Sequence, residues 1–249
     1  MNRLSKRTAL ITGGNSGIGL ATAREFIAEG ASVIITGRNK AALDKAVLEL
    51  GPQAHGIVSD TSNMKDILKL RDEVVKIFPR LDVLFINAGV AIFTPITEVT
   101  EEEFDQQFNI NVKGAYFTIQ QLLPIFNEGG SIILNASNVA HKGVAGASVY
   151  SASKAAILNL AKTLSSELLT SKIRVNAISP GPVATPIYEK LGFGEAKTEE
   201  FNEVVKGKVP LGRFGNPNEI ARIAVFFASE DSSFVLGAEL IADGGYSTL

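Results

Sequence analysis

Short runs of Val, Ile, Leu and Ala alternate with longer amphipathic stretches from residue 8 almost to the end of the chain. That rhythm leaves few architectures open. A strand buried on both faces reads as a continuous apolar run, and helices returning between such strands make them parallel. The pattern predicts strands at Thr8–Ile11, Ser32–Thr36, Ala54–Ser59, Val83–Ile86, Ser131–Ala136 and Ile173–Ile178, with a last strand near Glu239–Ala242. Helices are expected over Gly17–Glu29, Asn39–Leu50 and Asn63–Phe78, within Glu101–Phe126, over Val149–Leu169, and at Pro217–Ala228. The expected fold is α/β: one domain spanning residues 1–249, a doubly wound, Rossmann-like parallel sheet with helices on both faces. The stretch from about 186 to 208 breaks the rhythm and is expected to form a lid over a binding site.

Composition narrows the function. A hydrophobic fraction of 45% over 249 residues supplies a large core. A net charge of −2 argues against nucleic acid or an anionic membrane as an obligatory partner. The absence of cysteine excludes disulfides, a thiolate nucleophile and a cysteine metal site. His55 and His141 stand far apart in the chain, so no metal site is expected. No apolar segment approaches the length of a membrane span, and a cytoplasmic protein is expected.

The first predicted strand runs directly into Thr12-Gly13-Gly14-Asn15-Ser16-Gly17-Ile18-Gly19, and a helix begins near Gly17. Glycine permits the tight turn, and the free N–H groups of a helix start attract a pyrophosphate. The spacing is Gly-x-x-x-Gly-x-Gly, unlike the common Gly-x-Gly-x-x-Gly fingerprint. The second strand ends in Ile35-Thr36-Gly37-Arg38-Asn39, without the carboxylate that would meet a free ribose hydroxyl. Arg38 instead suits a 2′-phosphate, with Gly37 leaving room for the guanidinium, so NADP(H) is expected over NAD(H). On the opposite reading Arg38 is a solvated residue at a helix start. Asp60, after the third strand, can meet the adenine amino group or cap the next helix.

Tyr150 and Lys154 stand at i and i+4 and share a helix face. Tyrosine titrates near 10, too high for an efficient base, and a neighbouring ammonium is expected to lower it. Such a pair is common by chance, so its context carries the argument. Ser137 lies at the carboxyl end of a strand, where open α/β sheets place their ligands; it is either a turn residue or a partner for a reacting oxygen. Asn111 sits within a helical stretch, as a solvated residue or as a polar group holding water in the site.

Taken together these segments resemble the short-chain dehydrogenase/reductase family, in its shorter single-domain branch, over essentially the whole chain. The glycine loop matches the family's Thr-Gly-x-x-x-Gly-x-Gly. Asn87-Ala88-Gly89 matches its Asn-Ala-Gly, and Asn111-Val112-Lys113-Gly114 the segment of its asparagine. Ser137 precedes Tyr150-x-x-x-Lys154 by the usual interval, and Pro180-Gly181-Pro182-Val183-Ala184-Thr185 matches the segment lying against the nicotinamide. The resemblance implies Tyr150 as general acid/base and Ser137 as the group that positions the substrate oxygen. It implies that Lys154 holds the nicotinamide ribose, that Asn111 anchors a water, and that Val183 and Thr185 hold the carboxamide. Asn87 and Gly89 would border the cofactor, and a homotetramer is implied as well.

The expected substrate is a small carbonyl compound or alcohol. Its pocket would draw on Gly89–Pro95, with Val90, Ile92 and Phe93, on Asn138–Ala147, with Val144, and on the lid. Asn138 and His141 can meet polar groups, although a solvated loop residue is the plainer reading of His141. An acidic acyl-carrier partner would want basic residues nearby; the segment 126–130 has none, and only Lys172 and Arg174 keep that option open. A dinucleotide sensor without turnover is the rival class, and it would not need Asn111, Ser137, Tyr150 and Lys154 together.

Overall fold

Seven parallel strands lie side by side in the order β3-β2-β1-β4-β5-β6-β7 in a computed structural model, which describes residues 2–185 and 203–249. They are β1 (Thr8–Ile11), β2 (Ser32–Gly37), β3 (Ala54–Val58), β4 (Leu81–Ile86), β5 (Phe126–Asn135), β6 (Arg174–Pro180) and β7 (Glu239–Ala242). The helices between them are α1 (Gly17–Ala28), α2 (Lys40–Leu50), α3 (Met64–Val75), α4 (Glu101–Phe108), α5 (Ala115–Leu122), α6 (Ser148–Glu167) and α7 (Pro217–Ala228). Of the expected lid, only residues 203–208 fall within the described residues.

Alternation along each strand splits the core in two. Leu10, Ile34, Leu84, Ile132 and Val175 face Leu70 of α3, Ile119 of α5 and Ile157 of α6. Ala9, Ile11, Val33, Ile35 and Phe85 face Phe26 of α1, Leu43 of α2 and Phe227 of α7. Both faces are therefore covered, as the continuous apolar strands require. Strand order reverses at β1, which pairs with β2 on one side and β4 on the other, so ligands are expected in the crevice above its carboxyl end.

Two elements differ from expectation. The long helix within Glu101–Phe126 is interrupted by a π-helical turn over Asn109–Gly114. A Cβ on Gly114 would stand 2.2 Å from the Thr61 carbonyl, so the chain passes too close to its neighbour for a side chain there. Strand β5 starts at Phe126 rather than Ser131; the register slips between the Leu81–Phe126 and Val83–Ser131 pairs, and Gly129 takes a positive φ of 79°. Among the described residues no helix is long and apolar enough to cross a membrane.

Candidate active site

The glycine loop leaves β1 under restraint from β4. Thr12 Oγ1 accepts hydrogen bonds from the amides of Asn87 (2.9 Å) and Ala88 (3.0 Å). Asn87 Nδ2 donates back to the carbonyls of Thr12 (2.9 Å) and Gly13 (3.2 Å). Gly13 and Gly17 adopt positive φ of 63° and 54°, conformations that favour glycine. A Cβ on Gly19 would meet the Gly13 carbonyl oxygen at 2.4 Å and Asn87 Nδ2 at 2.6 Å. Ser16 caps α1 without a side-chain hydrogen bond, so the first helical amides are left for an anion. A cleft of about 510 Å³ opens here, bordered by Asn15, Ser16, Arg38, Asp60, Asn87 and Gly89. A backbone cradle that excludes side chains, with unfilled amides at its floor, fits a dinucleotide.

The adenosine end departs in part from expectation. Arg38 is exposed at the cleft, with no hydrogen bond or ion pair among the described residues. The space at Gly37 is taken by Asn15, whose Oδ1 lies 2.9 Å from where a Cβ would be, so the glycine makes room for Asn15 and not for the guanidinium. Asp60 does not cap α3. Its Oδ1 accepts from Ser62 N (2.9 Å) and Ser62 Oγ (2.8 Å), while Asn63 caps the helix through Lys65 N (3.0 Å).

At the other end, β5 and α6 bring Ser137, Tyr150 and Lys154 to the wall of a second cavity of about 190 Å³. Ser137 stands two residues beyond β5 and caps a short turn, accepting from Val139 N at 3.4 Å. Its hydroxyl stands beside the Tyr150 phenol on the cavity wall. Lys154 Nζ donates to the Asn135 carbonyl at 2.7 Å and lies 5.8 Å from the centre of the Tyr150 ring. Burial pushes the Tyr150 phenol up from its ordinary value, and the Ser137 hydroxyl beside it draws it partly back. The expected lowering by Lys154 is not what this geometry produces; burial pushes the lysine itself down to about 8.

Asn111 is buried in the π-helical turn. Its Oδ1 accepts from Val90 N (2.9 Å), and its Nδ2 donates to Val90 O (2.9 Å) and Ser153 Oγ (3.0 Å). The solvated reading of Asn111 is thereby excluded, and both of its side-chain donors are committed within the protein. Gly89 lies beside it: a Cβ there would be 3.1 Å from Asn111 Oδ1 and 3.5 Å from Lys154 Nζ.

Pro180 and Gly181 continue β6 into the site, where Gly181 N donates to Ala242 O (3.0 Å) and a Cβ on Gly181 would lie 2.4 Å from that of Asp243. Val183 is buried, and Thr185 borders both cavities. Phe93 and Val144 line the second cavity as expected, whereas Val90 and Ile92 border the dinucleotide cleft. Asn138 also lines the second cavity, but its Nδ2 donates to Asp243 Oδ2 (3.3 Å). His141 is paired with Glu239, Nε2 to Oε1 at 2.7 Å.

Val139 and Val205 line the second cavity within the segments expected to form it, whereas sequence reasoning overlooked Asn135 and Tyr246. Both carried a usable signal. Asn135 is two residues before Ser137 and so shares its side of the strand, and Tyr246 follows the carboxyl end of β7.

Known proteins agree with this geometry. A family model described as enoyl-(acyl carrier protein) reductase matches residues 13–247. An oxidoreductase from Sarocladium schorii is 40% identical, over 100% of this chain and 99% of that protein. A 3-oxoacyl-[acyl-carrier-protein] reductase from Thermotoga maritima is 38% identical, over 98% of each chain. A galactitol 2-dehydrogenase from Agrobacterium fabrum is 36% identical, again over 98% of each. With a seven-stranded parallel sheet, a glycine cradle above its switch point and relatives of this kind over its full length, the chain belongs to the short-chain dehydrogenase/reductase family of nicotinamide-dependent oxidoreductases.

Proposed function

We propose that this protein is an NADP(H)-dependent reductase or dehydrogenase that interconverts a carbonyl and a secondary alcohol. The observation that carries the reading is the pairing of Ser137 and Tyr150 on the wall of a cavity that shares Asn87, Gly89 and Asn135 with the dinucleotide cleft. The bound nicotinamide supplies the hydride for reduction and takes it in oxidation.

Tyr150 is the general acid in reduction: it releases its proton to the carbonyl oxygen as that oxygen becomes negative, and takes it back from the alcohol in reverse. A phenol raised by burial is protonated at neutral pH and ready to donate. Ser137 holds the substrate oxygen against Tyr150. Lys154, with one N–H on Asn135 O, has others to offer the nicotinamide ribose and adds positive charge beside the phenolate as it forms. Asn111 fixes Val90 and, through Ser153, the first turn of α6; a water in a relay would be held by its carbonyl. Gly13, Asn15, Ser16, Gly17, Ile18 and Gly19 cradle the pyrophosphate, with Asn87 and Gly89 beside it. Arg38 binds the 2′-phosphate and Asp60 faces the adenine. Pro180, Gly181, Val183 and Thr185 hold the carboxamide end.

The guanidinium of Arg38, without a partner among the described residues, favours NADP(H), since the end of β2 carries no carboxylate for a free ribose. An acyl-carrier substrate is disfavoured. Lys172 is ion-paired with Glu128, and Arg174 is buried, donating to Phe227 O (3.0 Å), Ser229 O (3.0 Å) and Ser232 Oγ (2.6 Å). We also infer a homotetramer, supported by the open edge at β7 and by Phe104, Tyr116 and Phe234 standing exposed.

Turnover of NADPH with a ketone panel, in wild type and Tyr150→Phe, tests the reading. The variant is expected to lose about two to four orders of magnitude in rate while binding NADPH nearly as well. Undiminished turnover in Tyr150→Phe would overturn it.

A further inference from the structure

Among the described residues, the side-chain amides and the ammonium of the second cavity are largely committed to the protein itself. Of its side-chain amides, Asn87 donates to Thr12 O and Gly13 O, Asn135 to Asn87 Oδ1 (3.0 Å), and Asn138 to Asp243. Among the described residues lining it, Lys154 alone is charged, and its ammonium turns to Asn135 O. The hydroxyls of Ser137 and Tyr150 are left together on one wall. Around them stand Ala91, Phe93, Val139, Val144 and Val205. A ligand's carbonyl oxygen meets these two hydroxyls and the rest of it meets a mostly apolar wall, on which the Thr185 and Tyr246 hydroxyls and Asn135 Oδ1 are the further polar groups.

Two rings shape the apolar part. Phe93 meets Tyr150 edge to face, centroids 5.8 Å apart. Opposite in the sequence, Tyr246 comes from a turn after β7 that is fastened at several points. Asp243 accepts from Gly245 N (3.0 Å), Ser247 N (2.8 Å) and Asn138 Nδ2, which ties the turn to the segment following Ser137. Lys142 Nζ donates to Tyr246 O (3.1 Å) and sits 3.6 Å over the Tyr246 ring. Lys142 is not part of the cavity wall, so the ligand meets the ring and not the ammonium. The ring is thus held in place before any ligand arrives, and little side-chain entropy remains to be lost on binding.

We infer that this cavity takes an uncharged ketone whose carbonyl is attached to a flat six-membered ring, and that Tyr246, fixed by Lys142, is the residue that selects it. The inference rests on the oxidoreductase reading above and adds its substrate class. An edge or face contact with an aromatic wall adds specificity beyond the area it buries.

The test uses the NADPH-loaded enzyme and three probes: acetophenone, the acyclic 2-octanone, and a keto-sugar. Binding is measured by calorimetry and turnover by NADPH oxidation. Wild type is expected to bind acetophenone about ten-fold more tightly than 2-octanone, with no measurable affinity for the keto-sugar. Tyr246→Ala should weaken acetophenone about five- to ten-fold, as a rise in KM with kcat nearly kept, and leave 2-octanone within about two-fold. Tyr246→Phe should retain the preference, and Lys142→Gln should lose part of it. Equal or tighter binding of 2-octanone or the keto-sugar, or an unchanged preference in Tyr246→Ala, overturns the inference even if ketones are reduced. Ring-selective binding without turnover of any ketone overturns the oxidoreductase reading instead and leaves the cavity assignment standing.

Discussion

Lys154 Nζ and the carbonyl of Asn135 are 2.7 Å apart, and through this contact the lysine of the second cavity is joined to the glycine loop. Asn135 Nδ2 donates to Asn87 Oδ1, and Asn87 Nδ2 donates to the carbonyls of Thr12 and Gly13. One chain of hydrogen bonds therefore spans the two halves of the site. Its middle member carries a residual cost, since Asn135 Oδ1 is buried with no partner among the described residues.

Asn135→Ala removes the donor on which Asn87 Oδ1 depends. An orphaned buried acceptor costs about 1–3 kcal/mol, and part of that should appear as looser seating of Gly13. NADPH affinity is expected to fall about five- to ten-fold, read by fluorescence titration. Unchanged affinity in a folded variant would show that the chain of bonds does not reach the cradle.

Lys154 carries a pH dependence with a definite sign. In the folded protein it loses its proton near 8, against 10.5 for a solvated lysine. Between those values the unfolded chain binds more protons, so stability rises with pH across the window. Below it the buried ammonium costs about 3 kcal/mol. Lys154→Met removes that cost, so its stability relative to wild type should be greatest near pH 7 and decline between about pH 8 and about pH 10.5. Urea unfolding of both proteins across that range checks this, and a difference that does not vary with pH would refute it.

Arg38→Ala should weaken NADPH about ten- to hundred-fold, the worth of a charge-assisted bidentate contact. NADH should change by less than about two-fold. Equal losses for the two cofactors would remove the 2′-phosphate assignment.

Arg174 and Lys172 look alike in the sequence and should behave differently. Arg174→Ala removes buried charge-assisted hydrogen bonds to Phe227 O, Ser229 O and Ser232 Oγ together with the packing of the side chain, and should cost about 2 kcal/mol or more. Lys172→Gln breaks a solvent-exposed pair with Glu128 and should cost less than about 1 kcal/mol. Denaturation midpoints of the two variants, compared with wild type, check the contrast.

Which parts of the molecule were legible beforehand follows from the range of the interactions involved. The order of strands and helices could be read because burial on both faces writes itself into consecutive residues: Val33, Ile34 and Ile35 alternate between the two core layers yet form one apolar run. The glycine loop was equally plain, since positive φ at Gly13 and Gly17 is a local demand. Tyr150 and Lys154 share a face by helix geometry alone.

The rest depends on contacts between residues distant in the chain. The π-helical turn needs Gly114 against Thr61, and the fate of Gly37 is decided by Asn15. The burial of Arg174 needs the end of α7, and Tyr246 reaches the cavity because Asp243 and Lys142 hold its turn. By itself, then, the sequence determined a doubly wound nucleotide-binding sheet and the residues at its carboxyl edge, because both rest on local periodicity and backbone freedom. Tertiary structure alone decided which polar groups are already engaged and which still face a ligand, because hydrogen-bond partners separated by tens of residues leave no periodic trace in the chain.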